Sequence, residues 1–404
     1  MLLKFAWRNI WRNRRRSLIV LTSVIVGLVA IIFSDGLSNG MISQMLYNQI
    51  NLNISHIQIH KKGFNNNKVV KNYIKDYSEV ETVLKNDQSI KAYSKRVFVT
   101  GILSSANNSS GVMIYGIDPK EEAKVSVVKS SIISGSYFTN SKRDIIIGKK
   151  LSEKLEVEVG DKVVAMANTL KGDIGSEVFR IVGIFKTASS EFDKMAIYIP
   201  ATTEQEMLNI EDKYYEYAVI TKNYDDVDRV QKNLREKLGN DYEVLSYKDL
   251  LPMLIYQVEL YKETMWILNL IIGLALIFGI INSMLMSVFE RIREFGVLMS
   301  IGMKNSRIYL MIVTEAFIIG IVGTIFGLLI GVLIEIPLTH TGIDLSIFSS
   351  GLEAFGIGTV IYPVLSIANI FMSSLFMPFV AILGALYPAY KAIKLEPIYA
   401  IYYV

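Results

Sequence analysis

The sequence predicts a membrane protein in which four transmembrane α-helices accompany a large extracytoplasmic α+β domain, inserted between the first and second spans. Composition is the first observation: 51% of the 404 residues are hydrophobic and 20% are charged. Such a chain is too apolar for an ordinary soluble protein and too charged for a bundle of spans alone. The second observation is the order of the segments, because the mixed-polarity region 37–262 separates the first apolar stretch from the second.

Four apolar stretches are long enough to cross a bilayer, which needs about 20 residues. The predicted spans are 17–36, 263–289, 308–335 and 365–390. Basic residues Arg12–Arg16 precede the first span, so the positive-inside rule predicts a cytoplasmic N-terminus. The loop 290–307 and the tail 391–404 then lie in the cytoplasm, and 336–364 forms an outer loop. We expect a multi-pass protein of the bacterial cytoplasmic (inner) membrane, with both termini cytoplasmic.

Residues 1–16 predict an interfacial amphipathic helix. Apolar side chains recur there at helical spacing, and basic side chains recur four apart on another face. We expect four of these residues to contact the lipid headgroups: Trp7, Trp11, Arg12 and Arg15. A secretory signal is less favoured, because the apolar run 18–33 is long for its hydrophobic core and no A-x-A-like cleavage site follows.

The region 37–262 mixes strand and helix patterns without regular alternation, which favours an α+β domain over a doubly wound parallel sheet. A stalk helix is expected to extend the first span through residues 40–51. Strands are predicted at 52–59, 96–103, 112–117, 144–147, 162–167, 178–185, 195–199 and 217–221. Helices are predicted at 149–155, 202–209, 225–238 and 248–262.

A short charged segment, Glu290–Gly302, lies between the second and third apolar stretches. Its apolar residues Ile292, Phe295 and Met299 are three and four apart and so share one side of a helix. Three charged residues lie off that side: Arg291, Arg293 and Glu294. The pattern predicts a short amphipathic helix at the membrane surface; the alternative is an ordinary loop whose charges only fix topology.

This segment, E-R-I-R-E-F-G-V-L-M-S-I-G, followed by Glu315 in the next span, resembles the FtsX/MacB/LolC-type permease family. The family comprises membrane subunits of type VII ABC transporters. The opening W-R-N-I-W-R-N-R-R-R and the closing G-A-L-Y-P-A-Y-K also resemble family patterns. Segments similar to the lipoprotein-releasing LolC/LolE branch are Ser55–Phe64, Tyr115–Pro119, Ile145–Leu151, Val159–Asp161, Arg180–Phe185 and Ile197–Pro200. Ser55 stands where that branch more usually has glycine.

The resemblance implies that the second–third loop is the helix that couples the permease to a partner ATPase. The implied coupling residues are Glu290, Arg291, Ile292, Arg293, Glu294, Phe295 and Met299. The apolar three are expected to anchor in a groove of the ATPase, and the charged ones to orient the helix. The implied partners are two copies of an ABC ATPase, a second permease subunit in a homodimer or heterodimer, the bilayer and a periplasmic lipoprotein carrier.

The implied function is extraction of lipoproteins from the inner membrane, for sorting to the outer membrane, by mechanotransmission. Two alternatives stay open: MacB-like efflux of drugs or peptides, and FtsX-like regulation of a cell-wall hydrolase. The large outer domain counts against the second, because FtsX proteins have a much smaller one.

Several chemistries are not supported by the sequence. It contains no G-x-x-x-x-G-K-[ST] phosphate-binding loop, so ATP and Mg²⁺ are expected on the partner ATPase, and this chain is expected to be non-catalytic. Cysteine is absent, and His56 and His60 lack the further ligands that a metal site needs. The net charge of +4 is too small to suggest nucleic-acid binding.

The sequence offers three further candidates within or beside the spans. An apolar cavity for acyl chains is predicted near the outer mouths of the first two spans, with candidate residues Leu37, Met41, Met45, Ile255 and Leu260. Glycines 323, 327 and 331 share one face of the third span, for packing either within the chain or against a second subunit. Glu315 is an intramembrane acid with either a functional or a structural role.

Overall fold

The structure, a computed structural model, describes residues 14–65, 72–74, 77–210 and 212–394. The chain divides into two compact units, and each is described by itself. The helical unit contains residues 14–43, 257–344 and 360–394, and the α+β unit contains residues 44–256 and 345–359. Most of the predicted interfacial helix, with Trp7, Trp11 and Arg12, lies outside the described residues, whereas Arg15 is exposed at the start of the first helix.

Four helices in the described part of the chain are long and apolar enough to cross a membrane. They are α1 (Arg14–Gln49), α9 (Pro252–Glu290), α11 (Asn305–Thr341) and α13 (Ile367–Ile393). Each contains a long stretch with few or no charged side chains, and a helix satisfies its own backbone hydrogen bonds in lipid. The predicted four-span fold is confirmed.

The glycines of the third span pack against the first span of the same chain. A Cβ atom on Gly323, Gly327 or Gly331 would lie 2.7, 3.1 or 3.0 Å from the nearest side-chain atom of α1. The facing residues on α1 are Val24, Leu28 and Ile32. Small residues therefore allow α1 and α11 to approach closely. The sequence left two alternatives for these glycines, packing within the chain and packing against a second subunit. The structure shows packing within the chain.

In the α+β unit, ten strands of the described chain form one mixed sheet. They are β1 (Ile57–Lys61), β2 (Ile90–Ser104), β3 (Ser109–Ile117), β4 (Ile132–Gly135), β5 (Asp144–Gly148), β6 (Lys162–Asn168), β7 (Ile174–Phe185), β8 (Ala196–Pro200), β9 (Glu216–Thr221) and β10 (Tyr242–Ser246). Their order is β10-β1-β9-β2-β3-β8-β5-β7-β4, and β6 pairs with both β2 and β7. Only the β3–β8 and β5–β7 pairs are parallel among these strands.

Short helices cover this sheet. They are α2 (Tyr77–Asn86), α3 (Pro119–Glu122), α4 (Lys149–Leu155), α5 (Ser190–Met195), α6 (Ala201–Leu208), α7 (Val227–Leu238), α8 (Tyr247–Leu250) and α12 (Ser349–Ala354). The longest of them, α7, buries Val227, Val230, Leu234 and Leu238, which recur at three and four residues. The mixed arrangement confirms the predicted α+β class.

The predicted strand 52–59 is wrong in its first half. Residues Ile50–Ile54 continue from α1 as a single π-helical turn, and β1 begins only at Ile57. Ser55 lies between them with φ of 63°, and its amide donates to the carbonyl of Ile50 at 2.6 Å. The strand was predicted because apolar residues alternate from Leu52 onward, but Leu52 is buried on the last turn of a helix.

The segment that connects α11 to α13 contains a two-stranded ribbon and the helix α12. Strands β11 (Ile343–Asp344) and β12 (Val360–Ile361) pair antiparallel in the helical unit. Residues 345–359 between them belong to the α+β unit, where the Glu353 carboxylate accepts a hydrogen bond of 2.6 Å from Ser190. Ser366 caps the start of α13, because its hydroxyl accepts from the amide of Asn369.

Candidate functional site

The short amphipathic helix predicted between the second and third spans is α10 (Ile292–Ser300), between α9 and α11. It begins one residue after α9, because Arg291 breaks the helix with φ of −106° and ψ of 11°. It ends where Gly302 adopts φ of 93°, which glycine reaches without steric cost. The amides of Gly302 and Met303 then donate to the carbonyls of Met299 and Leu298 at 3.0 Å each. This ending satisfies carbonyls of the last helical turn.

The apolar side of α10 faces the core of its own helical unit. Ile292 and Phe295 are buried there, and Met299 is partly buried against the same core. Ile292 and Phe295 are thus covered by their own chain, and their anchoring in a groove of the ATPase stays a prediction. Helical periodicity showed that these residues share a side, and that side is used to hold α10 on its own bundle.

A buried ion pair fixes the start of α10 to α11. The Nη1 atom of Arg291 donates to Glu315 Oε2 at 3.0 Å, and both side chains are only 7% exposed. The Nε atom of Arg291 lies 3.4 Å from Glu294 Oε2, and its guanidinium carbon lies 5.2 Å from the centre of the Phe295 ring. Glu315 thus holds Arg291 inside the unit, which is the structural role that the sequence left open.

The opposite side of α10 is exposed. Arg293 and Glu294 lie on it, together with two apolar side chains one helical turn apart: Val297 is 45% exposed and Ile301 is 79% exposed. Exposed apolar side chains beside charged ones can contact a protein partner. Val297 and Ile301 were not among the predicted residues, although their four-residue spacing on the charged side could have indicated them.

A second candidate element lies in the α+β unit, where the chain leaves α1. The fully buried guanidinium of Arg96 donates to the carbonyl oxygen of Asn53 in the π-helical turn. The Asn53 amide in turn donates to the hydroxyl of Tyr115 on β3 at 2.7 Å. Since Arg96 lies on β2, these bonds tie the end of α1 to the central strands of the sheet. Nothing in the local sequence pattern predicted this long-range contact.

Two carboxylates balance the charge of Arg96. Its Nη2 and Nη1 atoms lie 2.7 Å from Glu122 Oε1 and Glu216 Oε1, respectively. Burial by itself would raise the pKa of Glu122, but the charge and hydrogen bonds of Arg96 lower that pKa below its usual value. Glu122 is therefore ionised at neutral pH, and Arg96 and Glu122 require each other, because a buried charge without its partner is costly.

The predicted cavity residues are divided between the two units. Leu37, Met41 and Leu260 belong to the helical unit, where Leu260 is exposed and the other two are partly exposed. In the α+β unit, Met45 is buried and Ile255 packs on a core that includes Ile50 and Tyr247. Met45 therefore does not line an open cavity, because its own chain already covers its apolar side chain.

His60 on β1 and His56 just before it have local partners. His56 Nδ1 lies 2.7 Å from the Thr221 hydroxyl, and His60 Nδ1 lies 3.0 Å from the Tyr215 carbonyl oxygen. In the residues that the structure describes, no group of three or more His, Cys, Asp and Glu side chains could hold a metal ion.

Two protein-family models match the chain and identify its family. The model for the MacB-like periplasmic core domain matches residues 17–237, which is more than half of the chain. The model for the FtsX-like permease C-terminal region matches residues 266–397. The chain belongs to this family of ABC transporter permeases.

Individual relatives agree with this permease assignment. The chain is 26% identical over 98% of its length to the lipoprotein-releasing system transmembrane protein LolC of Buchnera aphidicola, and covers 96% of that protein. It is 21% identical over 99% of its length to the macrolide export ATP-binding/permease protein MacB of Bradyrhizobium diazoefficiens, and covers 60% of it. The periplasmic region of MacB from Actinobacillus actinomycetemcomitans matches 52% of the chain and is itself covered to 97%, with a TM-score of 0.38 and 16% identity.

Proposed function

We propose that this permease extracts lipoproteins from the inner membrane by transmitting the motion of a partner ATPase to its α+β unit. The observation that carries the proposal is α10, a short helix with one side fixed to its own unit and the other side exposed. The full-length similarity to a protein named as a lipoprotein-releasing component favours lipoproteins as the substrate.

The fixed side of α10 suits it to transmit force. Because Arg291 and Glu315 form a buried ion pair and Phe295 lies in the core, a push on α10 would move α11 with it instead of bending a loop. Buried ion pairs of this kind hold one geometry well, since breaking them leaves a charge without a partner. The exposed side, with Arg293, Val297 and Ile301, would contact the ATPase.

The buried cluster of Arg96, Glu122 and Glu216 would receive the motion in the α+β unit. Helix α1 extends from Arg14 to Gln49, and the turn that follows it is bonded to Arg96 through Asn53. A displacement of α1 would therefore reach the central strands of the sheet directly. The first helix would pass on the motion mechanically, and the substrate would not need to cross the membrane.

The proposal requires partners. Two ABC ATPase subunits would bind ATP and Mg²⁺, and a second permease subunit, identical or different, would complete the transporter. The N- and C-termini would lie in the cytoplasm with α10, and the α+β unit would lie in the periplasm, where a soluble carrier could receive the lipoprotein. This chain would be the non-catalytic membrane subunit.

The test is lipoprotein release by the reconstituted complex, measured together with ATP hydrolysis. Ile301→Asp places a charge on the exposed side of α10, so we expect loss of release and of lipoprotein-stimulated hydrolysis. Ile133→Asp is the matched control, because Ile133 is also an exposed isoleucine but lies on β4 of the α+β unit. Equal activity of the two variants would contradict the role of α10.

Macrolide or peptide export is the second candidate, because the similarity to MacB extends over 99% of the chain. The same assay separates the two functions. Stimulation of ATP hydrolysis by an acylated lipoprotein, with transfer to an acceptor, supports release. Stimulation by a macrolide or peptide, without any transfer of lipoprotein, supports export.

A further inference from the structure

The segment between strands β11 and β12 has two adjacent apolar side chains exposed at its tip. Ile347 is 93% exposed, more than any other large hydrophobic residue that the structure describes, and Phe348 is 64% exposed. Both lie in a 3₁₀ turn, Ser346–Phe348, of the α+β unit. Removing such side chains from water is favourable in proportion to their apolar area. The tip is therefore suited to a contact outside its own unit.

Local contacts hold this tip in one conformation. The Leu345 amide donates to the Thr359 carbonyl and the Phe348 amide donates to the Leu345 carbonyl, at 2.8 Å each. Leu352 and Ile357 of the same segment are buried, and the Ile357 amide donates to the Leu352 carbonyl at 2.9 Å. The segment thus buries one pair of apolar residues and presents another pair outward.

The length of the chain keeps the tip close to the bilayer. Helix α13 begins at Ile367 and has 27 residues, so it is about 40 Å long at 1.5 Å per residue, which matches a bilayer of about 40 to 45 Å with its headgroups. The start of α13 therefore lies at the bilayer surface. Strand β12 ends at Ile361, and its partner β11 ends at Asp344, just before the tip. Extended residues reach at most about 3.6 Å each, so the tip lies within about 30 Å of that surface.

The composition of the segment favours a lipid surface over a charged partner. Residues 345–352 contain no charged residue, and residues 336–364 contain no Lys or Arg. Ser346 and Ser349 flank the apolar pair, so polar groups suited to the hydrated headgroups adjoin side chains suited to the acyl chains. At the start of α13, Ile367 and Phe371 are exposed apolar residues of a membrane-spanning helix, and they contact lipid at the same membrane face.

We propose that Ile347 and Phe348 insert into the nearer leaflet and attach the α+β unit to the lipid surface. The segment can hold that unit there, because its Glu353 accepts a hydrogen bond of 2.6 Å from Ser190 on the main body of the same unit. Insertion adds a non-covalent attachment to the covalent ones that α1 and α9 provide. Since the segment has no basic side chain, the insertion does not depend on anionic lipids.

The test is the fluorescence of a single label at the tip. The chain has no cysteine, so Ile347→Cys can carry one environment-sensitive nitrobenzoxadiazole label in the purified full chain. Vesicles of phosphatidylcholine are prepared with and without a doxyl-labelled phosphatidylcholine, which quenches labels that reach the acyl chains. We expect a blue-shifted emission that the doxyl lipid quenches, as at Leu375→Cys on an exposed position of α13. Ile133→Cys, an exposed isoleucine on β4 of the same unit, should give unquenched aqueous emission.

Changes at Phe348 distinguish insertion from mere proximity to the bilayer. In the labelled Ile347→Cys chain, Phe348→Leu should retain the quenching. Phe348→Asp should remove most of it, because transfer of a carboxylate into an apolar layer is costly. Equal quenching in these two variants would overturn the proposal, because the covalent tether alone would then explain it. Aqueous emission from Ile347→Cys with Phe348 in place would also overturn it.

Two further conditions test other partners of the tip. Quenching that requires anionic lipid would overturn the proposal, because the segment has no basic side chain to account for it. A blue shift that disappears when each vesicle contains a single chain would assign the tip to a second copy of the chain instead of lipid. Neither an ATPase nor a lipoprotein is present, so the result is independent of the proposed function in lipoprotein release.

Discussion

Helix α11 contains two buried acids whose surroundings are opposite. Glu315 pairs with Arg291 at 3.0 Å, whereas Glu335 has no hydrogen-bond partner in the described chain. They lie about 30 Å apart along the helix, at 1.5 Å per residue, which is about the thickness of the hydrocarbon layer. A paired acid fixes one geometry, whereas an unpaired buried acid has no contact that fixes its charge. The same residue type on one helix thus holds the start of α10 at one end and is buried without a partner at the other.

The α+β unit repeats this contrast. Glu122 is paired with the buried Arg96, and its pKa is lowered despite burial. Glu204 is buried on α6 beneath Gly116 of β3, and burial raises its pKa well above the usual value. Paired acids should therefore be needed for stability, and unpaired acids should reduce it at neutral pH. Variants of paired and unpaired buried acids should therefore change stability in opposite directions, and removal of Arg96 should have the largest effect.

Arg96→Met should have the largest effect on stability, because it leaves both Glu122 and Glu216 buried without a cation. We expect the free energy of unfolding of the α+β unit to fall by about 3 to 5 kcal/mol. Denaturant unfolding monitored by circular dichroism measures it. Lys142→Met is the control, since its ion pair with Glu206 is exposed on both sides and should contribute less than about 1 kcal/mol. Similar losses in the two variants would remove the distinction between buried and exposed pairs.

Arg291→Met should have a smaller effect, because it removes one buried ion pair, whereas Arg96→Met removes two. We expect a loss of about 3 kcal/mol in the free energy of unfolding of the helical unit. Combining it with Glu315→Leu should restore part of the loss, because the buried carboxylate that Arg291 contacts is then removed as well. Unfolding of the purified chain in detergent measures both values. Arg293→Met, on the exposed side of the same helix, should change little, and a loss as large as that of Arg291→Met would refute the role of the pair.

Glu204→Gln should stabilise the chain at neutral pH. The folded chain retains the Glu204 proton to higher pH than the unfolded chain, since burial raises the pKa. The natural chain therefore loses stability as pH rises from the ordinary glutamate pKa towards the raised one. We expect the variant to be equally stable near pH 4 and more stable by about 1 to 3 kcal/mol near pH 8. Glu206→Gln, exposed on the same helix, should show no such pH-dependent gain; an equal gain there would mean that burial is not the cause.

The sequence was sufficient for features that depend on local pattern. Four apolar stretches of spanning length predicted the four helices, and the charged segment after Phe289 predicted the short helix α10. Periodicity also showed that Ile292 and Phe295 share one side. It could not show that this side faces the chain's own core, because the direction of a helix face depends on neighbours that are distant in sequence.

Long-range contacts could not be predicted from the sequence for the same reason. Glu315 was recognised as an unusual acid, but its partner Arg291 lies 24 residues away on another element. Arg96 and Asn53 lie 43 residues apart, in two segments that were each predicted only as a strand. Residues 52–54 were predicted as the start of a strand, because an alternating apolar pattern this short fits either a strand or the last turn of a helix.

We expect the exposed side of α10 to contact the ATPase and its apolar side to make no such contact. Cysteine cross-linking tests it most directly, because the chain has no cysteine of its own. Single variants Val297→Cys, Ile301→Cys and Ile292→Cys would be assembled with an ATPase that has cysteines around its docking surface. We predict cross-links from positions 297 and 301 and none from position 292. Cross-links from position 292 alone would contradict the account and return the apolar side of α10 to the interface.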